Sequence, residues 1–186
     1  MASVDLGKVI SQAVDDYKAD FVVHLVATLL VAVIGGATFG LLSGPLIVGY
    51  MRLLDKKRRG EKIEIADIFK GFDSFLPGLL VYILGGLAVG IGFMLCFVPG
   101  LLLAPGWMAA FCLVARGESD AIAALKRGWS SSKPSLLMAA VTMLVISILM
   151  SIGAIACYVG IFLTLPFGFI AQYHLSRQLL DDAPAV

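Results

Sequence analysis

The sequence predicts an all-α integral membrane protein with six transmembrane helices, arranged as three hairpins that each follow an amphipathic interfacial helix. Hydrophobic residues make up 60% of the 186 positions, well above the share in soluble domains. All lysine, arginine, aspartate and glutamate residues lie in four short segments. The charge-free runs between these segments exceed the roughly 20 residues that a helix needs to cross a bilayer. These runs are Phe21–Met51, Ser74–Ala115 and Pro134–Ser176.

The first element, residues 4–20, is predicted to be an amphipathic helix that lies in the membrane interface. Its apolar residues recur at steps of three and four, as on one face of a helix: Leu6, Val9, Ile10, Ala13 and Tyr17. The segment is rich in Asp and has no basic stretch leading into a short apolar one. It is therefore not expected to be a cleavable signal.

The first charge-free run is predicted to form a hairpin over residues 21–59. It is long for one span and short for two, and four glycines between positions 35 and 44 interrupt it. We expect a turn within residues 35–44 and a new helix beginning near Pro45, because proline suits the first turn of a helix. The alternative is a single crossing here, which gives five spans and places the N-terminus on the opposite side of the membrane.

The rest of the chain is predicted to repeat this plan twice. Gly60 is expected to end the helix that precedes it. Two further interfacial helices and two further hairpins follow in alternation: 64–75, 76–115, 119–131 and 134–180. We expect the turns of these hairpins at Val98–Gly100 and between Gly153 and Gly160.

In each predicted hairpin the second span carries a proline that is followed eleven residues later by a basic residue. Eleven helical residues rise about 16 Å, so the prolines are expected near the membrane midplane, where they kink their helices. The recurrence indicates three similar units. The pairs are Pro45 with Lys56, Pro105 with Arg116, and Pro166 with Arg177.

With six spans, all charged segments lie on one side of the membrane and only uncharged turns lie on the other. The segments Arg52–Asp73 and Arg116–Lys133 each carry a net charge of +2. The positive-inside rule therefore predicts that the charged loops and both termini are cytoplasmic.

Several short motifs resemble a known family of bacterial membrane proteins. They are Gly44-Pro45-Leu46, Arg59-Gly60-Glu61, Asp67–Phe72, the Pro99-Gly100 turn and Ala124–Trp129. On these motifs the chain resembles the uncharacterised proteins of domain-of-unknown-function family nine seventy-five. It is also similar to the membrane domain of some glycerophosphodiester phosphodiesterases. The resemblance covers about residues 4–178 and implies a multi-pass protein of the bacterial inner membrane, with no activity attached.

Two basic clusters are the candidate sites for lipid headgroups. Each cation near an anionic membrane surface contributes about 1 kcal/mol of attraction. The alternative is that the clusters only determine topology. Acidic residues interleaved with the first cluster argue against nucleic acid as a partner. The two clusters are Lys56, Lys57, Arg58 and Arg59, and Lys126 with Arg127.

Five glycines at four-residue spacing are candidates for close helix packing, because such faces let helices approach each other in lipid. The contact lies either inside one subunit or at the seam of a homo-oligomer. The glycines are Gly36, Gly40 and Gly44 in the first run, and Gly86 and Gly90 in the second.

No pattern in the sequence indicates an enzyme, a cofactor or a metal. No charged residue lies inside a predicted span, and the hydroxyl groups there have no accompanying base. Cys96, Cys112 and Cys157 lack paired spacing and are interpreted as small buried hydrophobes. His24 and His174 lie near the cytoplasmic ends of the first and last spans, where we interpret them as interfacial residues rather than as a metal pair or pH sensor.

These patterns favour a non-enzymatic inner-membrane protein that self-associates and engages anionic lipid, as a scaffold or accessory subunit. An unidentified membrane-protein partner is compatible with this function. One alternative is an oligomeric pore or facilitator for a small solute, which the glycine-rich spans and central prolines favour. An enzyme acting on lipid headgroups is a weaker alternative, because the sequence offers no residues for it.

Overall fold

The computed structural model describes residues 4–95, 97–155 and 158–181, and within these residues all regular structure is helical. The predicted all-α class is confirmed. Eight α-helices and two 3₁₀ helices follow one another: α1 (Leu6–Ala19), α2 (Phe21–Ala37), α3 (Ser43–Arg58), η1 (Ile65–Ser74), α4 (Phe75–Leu95), α5 (Phe97–Ala115), α6 (Ala121–Ser132), η2 (Lys133–Ser135), α7 (Leu136–Ile155) and α8 (Tyr158–Asp181).

The turn expected within residues 35–44 lies between α2 and α3. Phe39 and Gly40 both have positive φ values there, of 50° and 86°. Glycine adopts this backbone region freely, whereas phenylalanine does so rarely. Pro45 lies in the first turn of α3, so it begins this helix and does not kink it from within.

α3 lies at the centre of the fold, and every residue from Gly44 to Met51 is buried. It packs directly on η1 because Gly49 and Gly71 bring the two backbones together. A Cβ atom on Gly71 would meet the carbonyl oxygen of Pro45 and the amide nitrogen of Gly49. α3 ends at Arg58, and Gly60, with a φ of 76°, terminates it as predicted.

Two predicted elements differ from the structure. The second interfacial helix is a 3₁₀ helix, η1, and it runs directly into α4. The expected turn at Val98–Gly100 is wrong, because these residues lie inside α5, which begins at Phe97. Pro99 is accommodated in the first turn of α5, where its missing N–H has no intrahelical acceptor to lose.

Two of the predicted buried cysteines, Cys96 and Cys157, lie outside the described residues. The last predicted turn contains residues 156 and 157, which also lie outside, between the end of α7 at Ile155 and the start of α8 at Tyr158. The third cysteine, Cys112, is described and is buried in α5.

The amphipathic elements pack in a regular order. η1 packs on α3, α6 packs on α5, and α1 packs on α8. α3, α5 and α8 also contact one another. The core therefore forms around these three helices, at the end of the molecule that carries the charged residues.

Three helical stretches among the described residues are long and apolar enough to cross a membrane: Ile65–Leu95, Phe97–Ala115 and Ala121–Ser151. α1 and α2 meet at a bend of 100° and give a fourth if the pair counts as one span. These stretches indicate a membrane-associated protein.

Candidate functional site

A polar cavity of about 440 Å³ opens at the charged end of the molecule. It lies where α3 and α5 end and where η1 packs against α3. Five cationic and three acidic side chains line it, together with one alanine. The lining residues are Arg52, Asp55, Lys56, Arg59, Glu61, Asp67, Lys70, Ala115 and Arg116.

Asp67 joins two of the cations in the wall of this cavity. Its Oδ2 atom accepts hydrogen bonds from Lys56 Nζ at 2.8 Å and from the backbone N–H of Glu64 at 2.9 Å. Its Oδ1 atom accepts from Lys70 Nζ at 2.7 Å. Burial raises the pKa of Asp67, but the bonds from Lys56 and Lys70 outweigh burial and hold the pKa at about 2.

Arg52 ties together the three elements around the cavity. Its Nε atom donates to the carbonyl oxygen of Ala115 at 3.2 Å, at the end of α5. Its two terminal nitrogens donate to the carbonyl oxygen of Lys70 and to Ser74 Oγ in η1. A single guanidinium therefore satisfies backbone acceptors on two neighbouring elements and fixes their positions relative to α3.

Two other arginines at the cavity keep unused hydrogen-bond donors. Arg59 Nε donates to Glu61 at 2.6 Å, and neither of its terminal nitrogens has a partner in the described part of the chain. Arg116 makes one long contact, from Nη1 to Asp181 at 3.4 Å. Asp55, in contrast, is buried and accepts a hydrogen bond from Tyr173 on α8.

A second polar cluster joins α1, α3 and α8 on another side of the core. Lys57 Nζ lies 2.7 Å from Asp20 and 3.7 Å from Asp16. Asp16 also contacts His174 Nε2 at 2.8 Å. Burial raises the pKa of Asp16, but the contacts with His174 and Lys57 lower it by more. The net pKa is therefore below its usual value.

The two histidines predicted to be interfacial are both buried. His24 Nδ1 lies 3.0 Å from Tyr50 Oη, while His174 belongs to the cluster with Asp16. Residue types alone did not reveal these contacts, because the partners lie on different helices. No group of three or more metal-ligating side chains is present among the described residues.

Most of the predicted headgroup-binding cations have acidic partners within the chain. Lys56 contacts Asp67 and Lys57 contacts two other aspartates, as described above. Arg59 pairs with Glu61, and Arg127 pairs with Glu118 at 3.0 Å. Arg58 and Lys126 are exposed and have no ion pair in the described part of the chain. The predicted clusters therefore contribute to packing as well as to surface charge.

The predicted glycines lie in different environments. Gly44 packs against the backbone of Gly78, and Cβ atoms on Gly40 and Gly86 would lie 3.2 Å from Tyr82 and 3.4 Å from Trp107. Gly36 and Gly90 are exposed, and a Cβ atom on either glycine would meet no packed atom beyond the backbone of its own helix within 4 Å. Two of the predicted prolines lie inside helices, Pro105 in α5 and Pro166 in α8.

The cavity and the second cluster each bring charged side chains from separate helices together. The resemblance noted for the sequence stays a prediction. The chain matches no protein-family model, no curated protein and no solved structure.

Proposed function

We propose that this chain is a six-span membrane protein that engages anionic lipid at its charged end and self-associates, without enzymatic activity of its own. The observation that carries the proposal is the separation of two surfaces. The charged residues and amphipathic elements gather at one end, whereas α4 and α7 expose large apolar side chains that lipid would cover. Examples are Leu80, Ile83, Leu84, Leu87, Ile91, Leu137, Met138, Val141 and Ile148.

In this proposal α2 and α3 are two short spans. α2 contains 17 residues and rises about 25 Å, somewhat less than a hydrocarbon core of about 30 Å. α3 contains 16 residues, but its charged residues begin at Arg52, so its charge-free part, residues 43–51, rises about 13 Å. The turn between them is uncharged, and Phe39 at its tip is 98% exposed. An apolar side chain exposed at this tip suits insertion into the headgroup boundary of the opposite membrane surface.

The amphipathic elements support lipid engagement. η1 exposes Phe69 next to Lys70, and Phe75 and Leu76 follow at the start of α4. α6 exposes Ile122 one turn before Lys126. Apolar side chains that enter the headgroup boundary next to cations are typical of helices that bind anionic membranes.

Gly36 and Gly90 support self-association. Both are exposed on apolar helices, and open space surrounds the position of a Cβ atom. Small residues of this kind let a second helix approach closely in lipid. The other predicted glycines already pack within the chain and are less suited to an oligomer seam.

The test is native mass spectrometry of the full chain released from nanodiscs that contain both anionic and zwitterionic phospholipid. We expect a defined oligomer that retains anionic lipid preferentially. A monomer that retains no lipid, or retains both classes equally, would contradict the proposal. The pore for a small solute stays an alternative, and solute flux into reconstituted vesicles tests it separately.

A further inference from the structure

We infer that the polar cavity at the charged end binds a phosphate group. That group belongs either to the headgroup of an anionic phospholipid or to a free phosphorylated compound. The inference extends the lipid engagement proposed above. It rests on that proposal only where the phosphate is taken to come from a lipid. Its own basis is the arrangement of the lining side chains.

The first step is the charge of the cavity. Five cations and three carboxylates line about 440 Å³, and two further carboxylates lie beside it: Asp73 is 3.7 Å from Arg52 Nη1, and Asp181 is 3.4 Å from Arg116 Nη1. Each of the three lining carboxylates already has a partner. Both oxygens of Asp67 accept hydrogen bonds from lysines, Glu61 pairs with Arg59, and Asp55 accepts from Tyr173. An incoming anion therefore meets five clustered cations, while the three lining carboxylates are already bonded within the chain.

The second step is the supply of donors. The terminal nitrogens of Arg59 and the Nε and Nη2 atoms of Arg116 have no partner in the described part of the chain. Lys56 and Lys70 each commit one of three ammonium hydrogens to Asp67. A phosphate group presents several acceptor oxygens, and the planar guanidinium group matches two of them at once.

The third step is preorganisation. Arg52 bonds to α5 and η1, and Asp67 holds Lys56 and Lys70 on the same wall. Arg52, Lys56 and Lys70 are therefore held in place before a ligand arrives, which lowers the cost of ordering on binding. The volume lies within the range of about 300–1,000 Å³ that small-ligand pockets occupy.

The surroundings of the cavity indicate how a lipid would present its phosphate. Lys70 lines the cavity, and its neighbour Phe69 is 45% exposed at the surface of η1. In the proposed orientation this phenylalanine enters the headgroup boundary. The cavity then lies at the depth of the phospholipid phosphates.

The experiment uses the full chain with two double variants. The site variant, Arg59→Gln with Arg116→Gln, removes two cations that line the cavity. The matched control, Lys18→Gln with Lys62→Gln, removes two exposed cations that neither line the cavity nor belong to the predicted headgroup clusters. Equal melting temperatures would establish that both variants fold. The probes are phosphatidic acid against phosphatidylcholine in nanodiscs, and inorganic pyrophosphate in detergent solution.

We expect the wild-type chain to bind at least one phosphate probe, the site variant to bind it about tenfold more weakly or worse, and the control to stay within about twofold. Binding of phosphatidic acid identifies a lipid as the source, and binding of pyrophosphate alone identifies a free compound. Equal losses in the two variants would overturn the cavity as the site while leaving surface lipid engagement intact. Binding of neither probe would overturn the inference.

Discussion

Asp67 is the residue on which the charged end depends most. Its carboxylate is nearly buried and accepts from two lysines and one backbone amide. The cations near it were evident from the sequence, but their pairing was not. Lys57, for example, contacts Asp16 across 41 residues of chain, and only the packing of α1 against the core brings them together. Residue types predicted a charged surface, and the fold converted much of it into internal ion pairs.

The first prediction concerns the substitution Asp67→Asn. It removes both ion pairs and leaves Lys56 partly buried, so we expect the free energy of unfolding to fall by about 1–3 kcal/mol. Thermal unfolding in detergent measures the change. Asp73→Asn removes the same charge from an exposed position in η1 and should have little effect. Equal effects of the two substitutions would contradict the role given to Asp67.

The second prediction concerns the pH dependence of the same group. Its pKa of about 2 in the folded chain lies below the usual value of 3.8. The stabilisation from its ionised form is therefore complete above about pH 4 and is lost as the pH falls towards 2. We expect wild-type stability to decrease over that interval by about 1–2 kcal/mol more than the stability of Asp67→Asn. Parallel pH profiles would show that other carboxylates dominate.

The third prediction compares two glycines. A Cβ atom on Gly71 meets the backbone of α3, so Gly71→Ala must separate η1 from that helix. We expect a loss of about 1–3 kcal/mol of stability, as for other overpacked sites. Gly90→Ala adds the same methyl group where the single subunit offers open space, so in the detergent-solubilised monomer it should be neutral or stabilising by up to about 1 kcal/mol. Equal melting temperatures for the two variants would contradict this packing.

At the scale of elements, helix positions were easier to predict than helix types and ends. The glycines of the first run placed the turn between α2 and α3, because Gly40 supplies a positive φ there. Pro99 indicated a turn that the structure does not have, since a proline is tolerated equally well in the first turn of α5. The 3₁₀ geometry of η1 was not evident, because apolar spacing of three and four residues does not distinguish it from an α-helix.

The fourth prediction concerns the attachment of α1 to α8. Asp16 links α1 to His174 of α8 and to Lys57 of α3, so Asp16→Asn should loosen this helix. We expect faster amide hydrogen exchange throughout α1 with unchanged exchange in α3. Asp15→Asn removes the same charge at an exposed neighbouring position and serves as the control. Unchanged exchange in Asp16→Asn would show that apolar contacts alone hold α1.

At the scale of the whole molecule, the contacts between helices follow the repeat that the sequence indicates. The three cations that follow the prolines by eleven residues lie in or directly after the three helices that meet in the core: Lys56 in α3, Arg116 directly after α5 and Arg177 in α8. Two of these cations line the polar cavity, and the third lines a smaller polar pocket beside α1. Each unit therefore contributes a cation near the charged end. The cavity itself could not be predicted, because it forms where separate units meet.

The proposal as a whole depends on one side of the membrane holding every charged segment. Side-specific labelling of single cysteines in an otherwise cysteine-free chain tests this most directly. The positions are Ser11→Cys, Lys62→Cys and Ser119→Cys at the charged end, and Phe39→Cys and Val98→Cys at the other; all five are exposed. We predict that an impermeant reagent labels the first three from one side and the last two from the opposite side. Labelling of position 11 from the side opposite to position 62 would establish five spans, and labelling of positions 62 and 119 from opposite sides would contradict the proposed arrangement altogether.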